Sequence, residues 1–375
     1  MITFASEKHS MRIAHLPTSV GGHAWGLAQG EKALGLQSDV IYLRDNFLKY
    51  PSDKIIFPDS TNTFIKKFTR FIPLVKEVRS IMKNYDVFHF NFGSSIFDFP
   101  KANFQLLDIP YFKKHGKIIV TYNGCDARQK YPTMQRVDYA ACHNTNCYGG
   151  MCNSGELDKL RRSKIEKFNR YADAIFALNP DLLYFLPERA RFLPYAVSRW
   201  DDLELFPFRE VKEKFTIVHA PTNQAAKGSE IIIPIVEQIK AKYPDKINFI
   251  LVENLPNHEA VKIYAQADVI IDQIMIGWYG GFAVEAMKMG KPVMVFIREE
   301  DLKFIPAQMA ADCNDAFINV WQGNLFDKLC NLIENPSQLK LHREAALDYV
   351  NRWHNPLYVA SLVKEAYLSP STCAE

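Results

Sequence analysis

Asp268-Val-Ile-Ile-Asp272-Gln-Ile-Met-Ile-Gly277-Trp-Tyr-Gly280-Gly281-Phe-Ala-Val-Glu285-Ala-Met-Lys-Met-Gly290-Lys-Pro-Val293 is the stretch that decides how this chain folds. A short apolar run flanked by acids reads as a buried strand. A glycine-rich loop follows, then a helix with Glu285 in its first turns, then at once another strand. That succession is the unit of a parallel sheet covered by helices. Adjacent glycines at Gly280 and Gly281 let backbone N–H groups approach a ligand, and a helix N-terminus favours a phosphate. Glu285 lies about one turn further in and can accept hydrogen bonds from a ribose or sugar diol. Its alternative is a helix-start carboxylate facing water, favoured by the helix dipole.

The same rhythm extends both ways. Strands are predicted at residues 215–220, 247–253, 268–274, 292–297 and 316–320. Helices between them cover 228–242, 257–266 and 281–289, and three closing helices break near Asn335-Pro336 and Asn355-Pro356. Upstream, strands at 11–16, 40–43, 86–92, 117–122, 173–178 and 191–197 alternate with helices, one of them over 156–171. Residues 198–214 are acidic, aromatic and unpatterned, and read as a linker. A chain of 375 residues is comfortable for two cores. The expected division is residues 1–200, residues 201–355 and a last helix within 356–375.

Composition narrows the class. A net charge of +3 over this length does not argue for nucleic-acid binding. The N-terminus carries no apolar h-region and no run of 18 apolar residues occurs, so neither a signal peptide nor a membrane span is predicted. The expected location is cytoplasmic. The predicted helix Phe64–Asn84 carries Lys66, Lys67, Arg70, Lys76, Arg79 and Lys83 on one side. It reads either as an ordinary surface helix or as a peripheral contact with the inner face of a membrane.

Three further motifs could carry chemistry. Gly21-Gly22 follows the first strand and opens a helix, as a phosphate loop or a plain tight turn would. His219-Ala-Pro-Thr222-Asn-Gln-Ala-Ala-Lys227-Gly228 places a lysine beside a glycine at a helix start, suited to a diphosphate; a solvated lysine is the alternative. Asp126 follows a strand end, where ligands bind in open α/β sheets, or caps a turn. Cys142, Cys147 and Cys152, with Cys125 nearby, approach the spacing of a structural zinc site. A loop of free thiols is the other main reading.

The run Glu285-Ala-Met-Lys-Met-Gly-Lys-Pro-Val293 resembles the E-A-M-A-x-G-x-P-V signature of the retaining, group-one GT-B glycosyltransferases. Lys227-Gly228, Gly21-Gly22, Asp86-Val-Phe-His89 and Asn179-Pro-Asp181 resemble further elements of that family, in the same order. The resemblance implies two Rossmann-like domains facing a central cleft, with a C-terminal helix crossing back to the first. It implies a UDP- or GDP-linked sugar donor, no catalytic metal, and retention at the anomeric carbon. The acceptor would be a glycan, a lipid-linked sugar or a small molecule. Gly21, Gly22, Thr222, Lys227, Gly280, Gly281 and Glu285 would bind the donor, with Asp126, Lys227 and Glu285 as catalytic residues.

The chain also departs from the family. Gly277 stands where the first glutamate of E-x7-E is usual, Thr222 where an arginine is, and Asn123 near a usual histidine. A non-catalytic sugar-nucleotide or glycan-binding relative and a GT-B epimerase or phosphorylase are the competing readings, the first kept open by Gly277.

Overall fold

Apolar runs bounded by turns become parallel strands here because both faces of each sheet are covered by helices. The computed structural model of the chain describes residues 11–18, 20–45, 48–58, 71–100, 104–208, 210–211 and 213–370. Seven strands form the first sheet: β1 (Arg12–Leu16), β2 (Gln37–Arg44), β3 (Lys54–Phe57), β4 (Val87–Asn91), β5 (Lys117–Tyr122), β6 (Ala174–Ala177) and β7 (Arg191–Phe192). Their order is β3-β2-β1-β4-β5-β6-β7. The second sheet holds β8 (Phe215–His219), β9 (Ile247–Leu251), β10 (Val269–Ile271), β11 (Val293–Val295) and β12 (Phe317–Asn319), in the order β12-β11-β10-β8-β9. Every pairing in both sheets is parallel. β4 and β8 are buried along their whole length, their His89, Asn91, Thr216 and His219 included.

Strand order fixes where a ligand can bind. In an open α/β sheet the chain leaves adjacent strands in opposite directions at one point, and a crevice opens beyond their carboxyl ends. That point lies between β1 and β4 in the first sheet and between β8 and β10 in the second.

The sequence reading missed β3, a four-residue strand on the sheet edge, and the helix Ala307–Ala316. The strand expected at 191–197 pairs only over Arg191–Phe192. Beyond it, Leu193, Ala196 and Val197 are buried within the core cluster that also holds Trp278, Tyr279 and Tyr349. Of the predicted basic helix Phe64–Asn84, the structure describes Phe71–Asn84, with Leu74, Val78 and Ile81 buried; the earlier part lies outside the described residues. No helix among the described residues is long and apolar enough to cross a membrane.

The last helix, Pro356–Leu368, packs on the helix His23–Ala33 of the first domain. Asn355 caps it by accepting from Leu357 N at 2.9 Å, and proline suits its first turn. A buried polar network anchors its far end. The Tyr367 hydroxyl donates to Glu31 Oε1 at 2.5 Å and lies 2.8 Å from His89 Nδ1. Glu31 Oε2 takes Ser38 Oγ at 2.6 Å and lies 2.9 Å from His15 Nε2.

Close approach at the other end depends on a missing side chain. A Cβ on Gly30 would lie 2.0 Å from the Pro356 carbonyl oxygen, deep inside van der Waals contact. Gly30→Ala is therefore expected to displace the last helix and cost about 1–3 kcal/mol of stability. Thermal unfolding checks this, and an unchanged Tm would refute the tight seating.

Candidate functional site

Both crevices open on one cavity of about 400 Å³ between the sheets. Val20 and Phe92, from the loops after β1 and β4, line it on one side. Lys227 and Gly280, from the loops after β8 and β10, line it on the other. Asn123 and Asn179, at the ends of β5 and β6, complete the first domain's floor. Four strand ends of one domain thus face two of the other.

Asp272 organises the second domain's side. It follows β10 and is fully buried. Its Oδ1 accepts from Lys227 Nζ at 2.5 Å, and its Oδ2 accepts from the backbone N–H of Gly280 at 2.8 Å. Lys227 is the last residue of the single-turn helix Gln224–Lys227, and Gly228 begins the next helix at Ser229. The lysine thus ends one helix rather than starting another. The Gly280 N–H, expected to face a ligand, is instead committed to Asp272. The carboxylate fixes the ammonium beside the glycine loop, with Lys227 Nζ 3.5 Å from where a Cβ of Gly280 would stand.

The two glycine motifs meet across the cleft. The Gly21 carbonyl oxygen lies 3.5 Å from the place of a Cβ on Gly281. Gly21 and Gly22 both have φ of +68°, turning the chain into the helix that starts at His23. Any side chain at Gly22 would strike Ser198 Oγ and the Tyr50 ring at 2.9 Å.

Glu285 lies in the helix Gly281–Lys288, 4% exposed and behind the cavity wall rather than on it. Both of its oxygens accept from the Asn257 side-chain amide, at 3.0 and 3.1 Å. The Asn257 N–H in turn donates to the Leu48 carbonyl of the first domain at 3.1 Å. Burial pushes the Glu285 carboxyl up to about 8, against the opposing pull of Asn257 and Arg199. It is a buried acid, not a carboxylate facing water.

No protein-family profile and no curated protein matches the sequence. Solved structures do match its fold. Sucrose-phosphate synthase from Thermosynechococcus elongatus superposes with a TM-score of 0.59 at 14% identity, over 95% of this chain and 98% of that one. A protein of Listeria monocytogenes assigned as a UDP-N-acetylglucosamine 2-epimerase gives 0.52 at 12% identity, over 95% of each chain. S. aureus TarM, as a variant in complex with fondaparinux, α-GlcNAc-glycerol and UDP, gives 0.51 at 13% identity, over 79% of this chain and 59% of that one. The chain has the GT-B fold.

Within this GT-B cleft, Lys227 and Gly280 line the cavity, whereas Gly21, Gly22, Gly281, Glu285, Asp126 and Thr222 stand off its wall. Asp126 accepts from the backbone N–H groups of Asn123 and Gly124, at 3.1 and 2.7 Å. Burial raises its carboxyl to about 6 against those hydrogen bonds. It shapes the turn that presents Asn123 and Gly124, accepting from residues upstream of it rather than from the residue two further on, as an Asx-type cap would. Thr222 is exposed.

Gly277 leaves no hole where the family's glutamate would stand. Its φ is +92°, and a Cβ there would lie 2.4 Å from Arg298 Nη1. Arg298 occupies that space and donates through Nη2 to the Tyr139 carbonyl at 2.5 Å.

The cysteine-rich segment forms the cavity's near wall. It crosses to the second domain, where Ala141 N–H donates to the Met275 carbonyl at 3.0 Å and Arg136 pairs with Asp301 at 2.8 Å. Cys125, Cys142, Cys147 and Cys152 all line the cavity as free thiols. The zinc expectation at these four is not met. Among the described residues, the ligating atoms that converge within 4.8 Å of one another belong to His15, Glu31 and His89, the network already filled under the last helix. Each of three cysteines has its own neighbour instead: Arg128 beside Cys125, Thr133 beside Cys142 and Arg161 beside Cys152. Burial pushes the Cys142 thiol up to about 11 and Cys147 up to about 12, the protonated form that binds metal poorly.

Asp272, Asn257 and Arg298 were not assigned roles from sequence. Asp272 did carry a signal: an acid closing a strand just before a glycine loop, at a carboxyl end where ligands bind.

Proposed function

We propose that the chain is a glycosyltransferase that holds a UDP- or GDP-linked sugar in the interdomain cleft and transfers its hexose, with retention, to an acceptor held against the first domain. The observation that carries this reading is the convergence of both crevices on one cavity, where Val20 of the first domain's turn faces Lys227 and Gly280 of the second. Breaking the bond from the anomeric carbon to the diphosphate leaves positive charge on the sugar and negative charge on the leaving group. Lys227 and the N-terminus of the helix Gly281–Lys288 suit that growing negative charge. Glu285, about one helix turn behind the Gly280–Gly281 loop, is assigned to the nucleoside's ribose hydroxyls, which would have to displace Asn257 from it. Positioning and charge stabilisation are the tasks, so no nucleophile is required of the protein.

A thermal-shift screen against UDP, GDP, ADP and CMP tests the reading. A ligand that binds only the folded state at about 100 times its Kd adds about 2.7 kcal/mol. UDP or GDP is expected to raise Tm, and the matching nucleotide-sugars to be hydrolysed or transferred. Failure of every nucleotide to shift Tm would refute the donor site. Binding without turnover on any donor would favour a non-catalytic relative.

A further inference from the structure

The charged residues lining the cavity are all cations: Arg128, Lys130, Arg161 and Lys227. Three have a carboxylate behind them. Arg128 makes a two-pronged pair with Asp181 at 2.6 and 2.8 Å, Arg161 meets Asp158 at 3.2 Å, and Lys227 meets Asp272. Lys130 differs. It is 6% exposed, and its Nζ donates to the neutral Asn153 amide oxygen at 2.8 Å. Among the described residues no carboxylate lies within ion-pair distance of that ammonium. A buried ammonium without a counter-charge is costly. Cys142 and Cys147 do not neutralise it, since burial holds both thiols protonated. Two further lining residues have unmet hydrogen-bonding groups: the Trp278 indole N–H and Asn123 Oδ1, both buried without a partner among the described residues.

Resting on the glycosyltransferase reading, we propose that Lys130, with Arg128 and Arg161, forms a subsite for an anionic group, phosphate or carboxylate, carried by the acceptor. All three belong to the first domain and Lys227 to the second, so the donor diphosphate and the acceptor anion are held by separate cations. Arg128 spends Nε and Nη2 on Asp181, which leaves Nη1 on the side of Cys125 and the cavity. The subsite defines the acceptor class as an acidic sugar or a sugar phosphate, free or lipid-linked.

Calorimetric titration of the full chain tests this. UDP and GDP are titrated first; then, at saturation with whichever binds, glucose 6-phosphate, glucuronate and glucose are compared. At least one anionic sugar is expected to bind at least about tenfold tighter than glucose, and which one distinguishes phosphate from carboxylate. Lys130→Met should remove the preference, while Lys130→Arg should retain it; thermal melts confirm that both variants fold. Equal binding of charged and neutral sugars overturns the subsite, as does a preference that survives Lys130→Met. So does competition between the anionic sugar and the nucleotide, which would place these cations in the donor site. If neither nucleotide binds but Lys130-dependent binding of the anionic sugar persists, the glycosyltransferase reading falls and the anion subsite stands.

Discussion

Lys227→Ala is expected to lower kcat/KM by about 10²–10³-fold and, separately, to lower Tm. The first effect follows from charge: the ammonium is a fixed cation beside the glycine loop where a leaving diphosphate would develop its charge. The second follows from what the lysine leaves behind. Asp272 is fully buried, and its Oδ1 has Lys227 as partner at 2.5 Å. Removing one partner of a buried ion pair typically costs about 3–5 kcal/mol, because the other charge stays buried. The Gly280 N–H on Oδ2 offsets part of that. A solvated lysine could be replaced without loss of stability; the buried ion pair predicts a loss for alanine. A double variant separates the two effects. Lys227→Met with Asp272→Asn leaves no buried charge and should recover most of the Tm without recovering turnover. Turnover near wild type in the single variant would remove Lys227 from the chemistry.

The parts of the fold that were legible in sequence are those set by local pattern. The helix Glu156–Tyr171 has Glu156 and Asp158 in its first turn and Arg170 in its last, so its ends are written in its charges. β5, over Lys117–Tyr122, is an apolar β-branched run ending at a turn. The strand–loop–helix run through Gly280 and Glu285 was legible for the same reason. The near wall of the cavity was not. Residues 128–155 are one seven-residue helix and short 3-10 turns, with Tyr148 and Gly149 in left-handed conformations. Their position depends on contacts made across the cleft, such as Ala141 with Met275. No periodicity encodes such a contact. The even cysteine spacing misled for a related reason: spacing along an irregular chain does not determine where side chains converge. Lys130, mid-sequence among polar residues, gave no sign of burial at all.

Glu285 gives the sharpest test of where a nucleoside would lie, because its folded state makes two separate demands. Burial raises its carboxyl from the ordinary 4.5 to about 8. Between those values the folded protein keeps a proton that the unfolded chain has released. Stability must then fall as pH rises through that window and level off above about pH 8. At about 1.4 kcal/mol per unit, the loss reaches a few kcal/mol. Glu285→Gln removes the titration, so its Tm should hold nearly steady from pH 5 to pH 8.5 while that of the wild type declines. Binding makes the opposite demand. A ribose diol donates two hydrogen bonds, and an ionised carboxylate accepts both, so nucleotide affinity in the wild type should rise as pH passes upward through about 8. Glu285→Gln should lose that rise along with much of the affinity. Glu285→Ala should lose more, about 2–3 kcal/mol, since it strips the partner from the Asn257 amide as well as from the hydroxyls. Calorimetry of all three proteins with UDP or GDP at pH 6.5 and 8.5 measures both demands on one residue. A variant that gains stability at pH 8.5 yet binds nucleotide as tightly as the wild type would leave Glu285 a buried acid of the fold, and would move the nucleoside away from the helix Gly281–Lys288.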